Sequence, residues 1–323
     1  MILVTGGAGY IGSHTVKELL RRGYEVVVYD NLSTGHPELV LTEEFVRGDL
    51  LDLGELRRTF ARYQIEAVLH FAAACRVDES VEDPQKYYQN NVIGGLYLLQ
   101  AMLEHGTRLL IFSSSAAVYG DPVELPIPED HPKRPTSPYG RTKWIFEQIL
   151  EDYARAYGLR YIALRYFNAA GSDPEGELGE RHQPETHLIP IVLEAALGRR
   201  PRVEIYGTDY PTPDGSPIRD YIHVSDLAIA HVLALERLQA GKVEGGAYNL
   251  GIGRGYSVRE VIEVSERVTG RSIEAVEAPR RAGDPAILVA DPRRAMEELG
   301  WQPRFRKLEE IVQTAWEWMR RQV

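Results

Sequence analysis

Hydrophobic positions in the first half of the chain fall into short continuous runs, separated by segments in which apolar residues recur every three or four positions. The runs predict strands buried on both faces, and the periodic segments predict helices. The expected strands are Ile2–Thr5, Tyr24–Tyr29, Glu44–Arg47, Ala67–Phe71, Leu109–Ser113 and Tyr161–Arg165. This alternation predicts an α/β fold with a doubly wound parallel Rossmann sheet, and ligands are expected beyond the carboxyl ends of its strands.

The pattern changes after Asn168. Loops are expected at Gly171–Pro184 and Tyr210–Pro217, which are rich in turn-forming residues. Later helices are expected at Leu188–Leu197, Val224–Leu238, Val258–Thr269 and Leu308–Arg320. One later strand is expected at Tyr248–Leu250. We predict that residues 1–167 form the Rossmann domain, to which some later segments return. Residues 168–323 are expected to form mainly a smaller, mixed α/β lobe.

A glycine-rich turn links the first predicted strand to a helix. Gly6, Gly9 and Gly12 are spaced G-x-x-G-x-x-G, and glycines let the backbone approach a pyrophosphate at a helix N-terminus. Asp30 lies 18 residues after Gly12, close to the ~20 typical of a carboxylate that accepts a ribose 2′-hydroxyl. Because this charge would repel a 2′-phosphate, the pattern favours NAD over NADP. The alternative is that Asp30 caps a turn, helped by Asn31.

A tyrosine and a lysine four residues apart give the most informative chemistry. Tyr139 and Lys143 lie in the run Ser137–Lys143, and if a helix begins there, the two side chains share one face. An ammonium near a phenol favours the phenolate, so we expect Tyr139 to act as a base although an isolated phenol has a pKa of about 10. With Ser115 upstream, such a base beside a nicotinamide is suited to removing a hydride from an alcohol.

Composition excludes several classes of protein and site. The net charge of −10 disfavours nucleic acid as a partner. Cys75 is the only cysteine among 323 residues, which excludes an internal disulfide and a thiolate metal cluster, and we expect it to be a small buried hydrophobe. His182 and His187 come closest to a metal-binding pair, but no neighbour completes a site, so no metal is predicted.

No apolar run is long enough to span a bilayer. The opening segment Met1–Gly6 is interpreted as a first strand rather than a leader. We therefore expect a cytoplasmic protein without a membrane partner.

Seven motifs together resemble the extended short-chain dehydrogenase/reductase superfamily and, within it, the UDP-glucose 4-epimerase family. They are Thr5–His14, Phe112–Gly120, Ser137–Lys143, Arg165–Asn168, Arg219–His223, Tyr248–Gly251 and Arg280–Asp284. The resemblance implies an isomerase that uses NAD to interconvert UDP-glucose and UDP-galactose at C4 through a 4-keto intermediate. It also implies a homodimer formed by the helices around Ile93–His105 and Trp144–Tyr157, although Leu96, Leu99 and Leu103 are equally consistent with the core.

The resemblance also assigns site residues. Tyr139 is implied as the base on the sugar 4-hydroxyl, Ser115 as a hydrogen-bond partner of the same oxygen, and Lys143 as the residue that holds the nicotinamide ribose. The implied cofactor contacts are Gly6, Gly9, Tyr10, Ile11, Gly12, Asp30, Asn31, Asp49, Leu50, Phe71, Ala72, Ala73, Asn90, Ser113, Tyr139, Lys143, Tyr166 and Phe167. The implied substrate contacts are Ser115, Tyr139, Asn168, His187, Leu188, Tyr206, Arg219, Arg281, Asp284 and Leu288.

The chain departs from the family pattern at Cys75 and at two of the site positions, His187 and Leu288. Cys75 stands where some members have a lysine near the cofactor, and His187 stands where some have a uridine-binding asparagine. Leu288 replaces a bulky tyrosine found in some relatives, so we hypothesise that UDP-N-acetylhexosamines are also accepted; the alternative is that Leu288 only packs. Arg219 suits a diphosphate, whereas a surface pair with Asp220 is the structural alternative.

Two other functions share these features. A nucleotide-sugar 4,6-dehydratase needs an acid and a base beside its serine, normally an adjacent Asp-Glu pair, but Ser115 is followed by Ala116 and Ala117. A non-catalytic NAD-binding sensor would not need Tyr139 or Lys143. The absence of an Asp-Glu pair after Ser115 and the presence of Tyr139 and Lys143 both favour the epimerase.

Overall fold

The computed structural model of the protein describes residues 1–281 and 283–322. Within these ranges, no helix is both long enough and apolar enough to cross a membrane. The strands are β1 (Ile2–Thr5), β2 (Val26–Asp30), β3 (Phe45–Arg47), β4 (Ala67–His70), β5 (Leu109–Ser113), β6 (Arg160–Tyr166), β7 (Asn168–Ala170), β8 (Val203–Tyr206), β9 (Ile218–His223), β10 (Gly246–Leu250), β11 (Gly255–Ser257), β12 (Ala275–Ala278) and β13 (Ile287–Leu288). The α-helices are α1 (Tyr10–Arg21), α2 (Leu53–Arg62), α3 (Val77–Glu82), α4 (Pro84–Tyr87), α5 (Gly94–Glu104), α6 (Pro138–Tyr157), α7 (Leu188–Ala196), α8 (Val224–Gln239), α9 (Val258–Thr269) and α10 (Leu308–Arg321).

The main sheet has seven parallel strands among the described residues, in the order β10-β6-β5-β4-β1-β2-β3. In the register of β1, Ile2 lies opposite Val26 of β2 on one side and Ala67 of β4 on the other. The strand order reverses at β1, and doubly wound sheets bind ligands beside such a reversal. β10 lies far along the chain yet pairs with β6, where Gly246 is opposite Ile162. The predicted doubly wound α/β fold is confirmed.

Helices cover both faces of this sheet. Val4 and Val28 point to one face and pack in a cluster with residues of α1 and α8. Leu3 and Val27 point to the other face and pack with residues of α2, α5 and α6. Because both faces are buried, the strands are continuous apolar runs rather than alternating ones.

The smaller lobe is organised around β9. This strand pairs antiparallel with β11 and parallel with β7 and β13, while β8 and β12 form a separate parallel pair. Leu288 of β13 lies opposite Arg219 of β9, and Asn168 of β7 lies opposite Tyr221. Helices α7, α9 and α10 bury their apolar faces in the adjoining core cluster. The small sheet therefore brings together residues that are far apart in sequence.

The helix expected near Ile93–His105 begins earlier in the chain than expected, with a turn that is not α-helical. A π-helical turn at Tyr88–Ile93 precedes α5. Three leucines of this region were consistent with either a dimer interface or the core. Leu99 is fully buried in the core, whereas Leu96 and Leu103 are half-buried.

Candidate active site

A large cleft opens where the carboxyl ends of the main strands face the smaller lobe. Its volume is about 2120 Å³, well above the roughly 300–1,000 Å³ of a typical small-molecule pocket. The lining includes the glycine turn at Gly6, Tyr139, and Arg219 and Leu288 of the smaller lobe. A cleft of this size has room for a dinucleotide and a second ligand of similar size.

The glycine turn has the geometry of a pyrophosphate cradle. Gly6 has φ +74°, and a Cβ there would lie 2.5 Å from the Ala72 nitrogen, while a Cβ at Gly12 would overlap the Gly6 carbonyl. Gly9 is the N-cap of α1 and makes no side-chain cap. The first backbone N–H groups of α1 are therefore available to an anion at the wall of the cleft, and the residues present fit a dinucleotide.

Asp30 both caps a turn and lines the cleft. Its carboxylate accepts hydrogen bonds from the Ala8 N–H (3.0 Å) and the Leu32 N–H (2.8 Å). Burial raises the pKa of Asp30, and the two N–H donors oppose that rise. The two interpretations of this residue are thus compatible, because the same carboxylate that fixes the turn faces the cofactor end of the cleft.

Asp49 lies just outside the cleft lining, unlike its neighbours Asn31 and Leu50. Its carboxylate accepts hydrogen bonds from the Asn31 side chain (2.9 Å) and the Leu51 N–H (2.9 Å). In this structure, Asp49 orients Asn31.

Ser115, Tyr139 and Lys143 form the predicted catalytic centre: the first two line the cleft, and Lys143 lies directly behind them. Ser137 caps α6 by accepting a hydrogen bond from the Gly140 N–H (3.2 Å), so Tyr139 and Lys143 share its first turns as the spacing predicts. Ser115 caps the 3-10 turn Ala116–Val118 through the Ala117 N–H (3.1 Å). The Lys143 ammonium lies 5.9 Å from the centre of the Tyr139 ring.

The surroundings shift both titrating groups of this pair. Burial raises the pKa of the Tyr139 phenol well above its usual value, and a hydrogen bond with Ser115 only partly opposes this. Burial lowers the pKa of the Lys143 ammonium to about 8. The protein's own groups therefore keep the phenol protonated, which differs from the expectation that Lys143 alone would favour the phenolate. The reason is desolvation, which penalises the charged form of each group.

The remaining predicted cofactor residues surround this centre. Ser113 donates to or accepts from the Tyr166 hydroxyl at 3.2 Å, and the Asn90 side chain donates to Asn91 (3.0 Å). Every predicted cofactor residue other than Asp49 and Lys143 lines the cleft. Lys143 lies directly behind the lining, since its ammonium donates to the Ser113 carbonyl oxygen (2.7 Å).

All ten predicted substrate residues line the same cleft. Arg219 is nearly buried and forms an ion pair with Asp284. The Arg281 guanidinium lies 4.0 Å from the centre of the Tyr206 ring. Two arginines and a carboxylate thus form a charged part of the cleft lining, which we call its charged end.

Asp220 is not the surface partner of Arg219. It is completely buried and accepts hydrogen bonds from the backbone N–H groups of Ile252 (2.8 Å), Gly253 (3.0 Å) and Ala290 (3.2 Å). Asp220 therefore joins β9 to the turn after β10 and to the segment after β13. Because adjacent residues of a strand point to opposite faces, Arg219 reaches the cleft while Asp220 reaches the interior.

Cys75 is exposed and lines the cleft, so the expectation of a buried cysteine is wrong. The reason is that β4 ends at His70. The chain after it follows the rim of the cleft instead of continuing into the core.

Two carboxylates lie beside His182 and His187, which the sequence-based expectation that no neighbour completes a metal site did not anticipate. The structure places Glu180 and Glu185 beside them, with one potential ligand atom from each of the four residues within 4.8 Å of the others. Burial lowers the pKa of His187, but the charges of the two glutamates outweigh it and raise that pKa well above its usual value.

Sequence reasoning missed several further residues of the site. Asn91 is buried, accepts a hydrogen bond from the Ala74 N–H (2.8 Å) and donates to the Thr142 hydroxyl (3.0 Å), so it ties the cleft rim to α6. The segment 33–36 and Tyr221 also line the cleft. Of these residues, only Asn91 could have been suspected from the sequence, because it directly follows the predicted cofactor contact Asn90.

The fold and this site define a dinucleotide-binding protein with a tyrosine–lysine pair beside a second, charged ligand site. Residues 2–251 match the profile of the NAD dependent epimerase/dehydratase family. The UDP-glucose 4-epimerase of Halalkalibacterium halodurans is 55% identical over 317 residues, which are 98% of this chain and 95% of that protein.

Solved structures agree. The UDP-glucose 4-epimerase of Brucella ovis in complex with NAD is 56% identical, with a TM-score of 0.95 and coverage of 98% of this chain and 97% of that one. The Bifidobacterium longum enzyme in complex with NAD⁺ and UDP is 41% identical, with a TM-score of 0.94 and coverage of 99% and 98%. The chain belongs to the NAD dependent epimerase/dehydratase family. The predicted family and NAD as cofactor are thereby confirmed.

Proposed function

We propose that this protein interconverts UDP-glucose and UDP-galactose by inverting C4 through a 4-keto intermediate, with NAD as its resident cofactor. The observation that carries the proposal is that Tyr139 and Ser115 line the same cleft as the glycine turn and the two arginines, Arg219 and Arg281. Full-length similarity to UDP-glucose 4-epimerases supports the same reaction. The enzyme is an isomerase of galactose metabolism.

NAD would bind at the glycine turn, with Asp30 on the adenosine ribose and Lys143 on the nicotinamide ribose. When bound, NAD supplies the acceptor that takes the C4 hydride and later returns it. Residues 1–167 with the returning strand β10 would form the NAD-binding domain. Most of residues 168–323 would form the nucleotide-sugar lobe.

Tyr139 is the proposed base. Its phenolate takes the proton of the sugar 4-hydroxyl as the C4–H bond breaks, and the phenol returns that proton when the ketone is reduced on its opposite face. Ser115 hydrogen-bonds the same sugar oxygen and fixes the distance over which the proton moves. Since burial disfavours the phenolate, the nearby charge of Lys143 and the charge of the oxidised cofactor are needed to offset it.

Inversion requires that the nucleotide be held firmly while the hexose turns over. Arg219 and Arg281 suit the two phosphates, because guanidinium groups match phosphate oxygens. Asp284 and Asn168 suit the uridine portion. These anchors lie at the charged end of the cleft, so the sugar is left with few fixed partners around Tyr139.

The sugar pocket has a leucine where a bulkier residue would narrow it. Leu288 ends β13, lines the cleft and is half-buried against Phe167 and its neighbours. We infer that the space beside this side chain admits an N-acetyl group, so that UDP-N-acetylhexosamines are also substrates.

The enzyme is proposed to act as a cytoplasmic homodimer. Several apolar residues of α5 and α6 remain half-buried in the single chain, among them Leu96, Tyr97, Ile149 and Tyr153, which supports pairing through these helices. Light scattering coupled to size exclusion tests the dimer; a monomeric mass at working concentrations would contradict it. Fractionation of the source cells tests the location.

The function itself is tested by incubating the purified protein with UDP-galactose and no added cofactor. Because NAD is regenerated in each cycle, we expect UDP-glucose to accumulate until the ratio of UDP-glucose to UDP-galactose is constant. Proton NMR of the anomeric signals measures this ratio. Release of a 4-keto-6-deoxy product would indicate a dehydratase instead. A protein that retains NAD but converts no nucleotide sugar would indicate a sensor.

A further inference from the structure

Four side chains converge in the segment that leads into α7. The Glu180 Oε1 atom lies 2.8 Å from the Nδ1 atoms of both His182 and His187, and the His187 Nδ1 atom lies 3.0 Å from Glu185 Oε1. The ligand atoms of all four residues lie within 4.8 Å of one another. In sequence they form the pattern E-x-H-x-x-E-x-H.

The donor set has the chemistry of a zinc site. Imidazole nitrogens and carboxylate oxygens are zinc ligands, and in structural sites zinc takes four of them in a tetrahedron. With bonds of about 2.0–2.1 Å, the ligand atoms of such a tetrahedron are separated by roughly 3.3 Å. Three of the observed separations are 2.8–3.0 Å and the others lie within 4.8 Å, so small side-chain movements suffice to admit an ion.

The burial of the carboxylates distinguishes this cluster from an ordinary surface pair. The Glu180 and Glu185 side chains are each only 7% exposed, and two adjacent buried carboxylates are costly unless positive charge compensates them. His182 and His187 pair with these carboxylates in the chain alone, and a divalent cation would replace the imidazole protons and supply the charge from one point between the four ligands. The other acidic group, Asp173, Glu175 and Glu177, contains no histidine, has two exposed members and is paired with Lys17.

The backbone of the segment is held in place from outside the cluster. Trp318 donates a hydrogen bond to the Glu180 carbonyl oxygen (3.3 Å), and a His36 ring nitrogen lies 2.8 Å from the Arg181 carbonyl oxygen. The His182 ring packs edge-on against Tyr10 of the first turn of α1, with centroids 6.1 Å apart. Ligands carried on a fixed segment lose little freedom when an ion binds.

We propose that Glu180, His182, Glu185 and His187 bind one zinc-class divalent cation. Since four protein ligands complete its coordination, the ion is structural. It fixes the segment 180–187, which forms part of the cleft wall and is followed directly by Leu188, the first residue of α7. This proposal departs from the sequence-based expectation of no metal. It does not depend on the reaction proposed above, and the ring of His187 serves the ion, which leaves its backbone to face the second ligand.

The test uses the full chain without a histidine tag. The protein is treated with a chelator, dialysed, titrated with zinc sulfate and separated from free ion, and bound zinc is measured by inductively coupled plasma mass spectrometry. We expect one zinc per chain and a rise in the melting temperature, because an ion that binds only the folded state stabilises it. Cobalt(II) at the same site should give the intense visible absorption of a tetrahedral centre.

Variants locate the ion. The His182→Asn and Glu185→Gln proteins are expected to bind zinc at least ~100-fold more weakly, while circular dichroism and NAD content report whether they fold. The matched control, Glu175→Gln with Glu177→Gln, removes the other acidic group and should bind zinc like the wild type. A wild-type protein that retains no zinc after dialysis overturns the proposal. So does a zinc content that persists in His182→Asn and disappears in the control.

Discussion

The Lys143 ammonium donates its 2.7 Å hydrogen bond to the carbonyl oxygen of Ser113 and not to the phenol of Tyr139. Ser113 ends β5, so this bond fixes the lysine against the edge of the main sheet. The lysine acts on the phenol only through its charge, which lies 5.9 Å from the ring centre. The proposed mechanism then depends on two buried groups, Tyr139 and Lys143, whose charged forms are both disfavoured by desolvation.

Removal of the Tyr139 hydroxyl should abolish proton transfer. For Tyr139→Phe we expect turnover of UDP-galactose to fall roughly 100-fold or more, because no other group takes the sugar proton. NAD released on denaturation should still be stoichiometric, since the phenyl ring keeps its packing. Tyr157→Phe, on the exposed end of the same helix, is the control and should keep full activity; similar rates in both variants would contradict the assignment of the base.

The buried ammonium of Lys143 should make stability depend on pH. In the folded protein its pKa is lowered to about 8 from 10.5, so between these values the unfolded chain holds the proton and the folded chain does not. Stability from this group therefore rises as pH increases from 8 to 10.5, and below pH 8 the burial of the charge costs up to about 3 kcal/mol.

Lys143→Met consequently should be more stable than the wild type at pH 7, with a difference that shrinks as pH approaches 10. Urea unfolding of protein freed of nucleotide measures this. Lys86→Met, at a half-exposed lysine, is the control and should show no such trend. A Lys143→Met difference that stays constant with pH would argue against a buried, destabilised ammonium.

The buried ion pair of Glu147 and Arg165 should be necessary for stability. Both side chains are about 5% exposed or less, and Arg165 also donates to the Tyr119 hydroxyl (2.9 Å). Glu147→Gln leaves a buried guanidinium without its counter-charge, so we expect a loss of about 3–5 kcal/mol in the free energy of unfolding. The exposed neighbour Glu151→Gln should change it by less than about 0.5 kcal/mol. Equal effects in urea unfolding would show that burial does not decide the outcome.

The size of residue 288 should set the substrate range. The wild type is expected to epimerise UDP-N-acetylglucosamine, and Leu288→Tyr to lose this activity while still converting UDP-galactose. Leu288→Met keeps the volume nearly constant and should behave like the wild type. Absence of wild-type turnover with UDP-N-acetylglucosamine would refute the hypothesis, and steady-state kinetics with both nucleotide sugars measures it.

Local features of the chain were predictable because their physical causes are local. The apolar runs placed β1 and β5 at their observed bounds, since a strand buried on both faces must be apolar throughout. The glycine spacing gave the turn before α1, and the four-residue interval put Tyr139 and Lys143 on one helix. In each case the information lies within a few neighbouring residues.

The sequence by itself thus determined the parallel character of the sheet and the cofactor turn, and it supplied the hypothesis that Tyr139 is the central base. Only the tertiary structure decided that Asp220 turns inward to three backbone N–H groups, that Arg219 pairs with Asp284, and that Glu180 and Glu185 join the two histidines. These outcomes depend on contacts between distant segments and on the removal of water from charged groups. Neither is expressed in the spacing of residues along the chain.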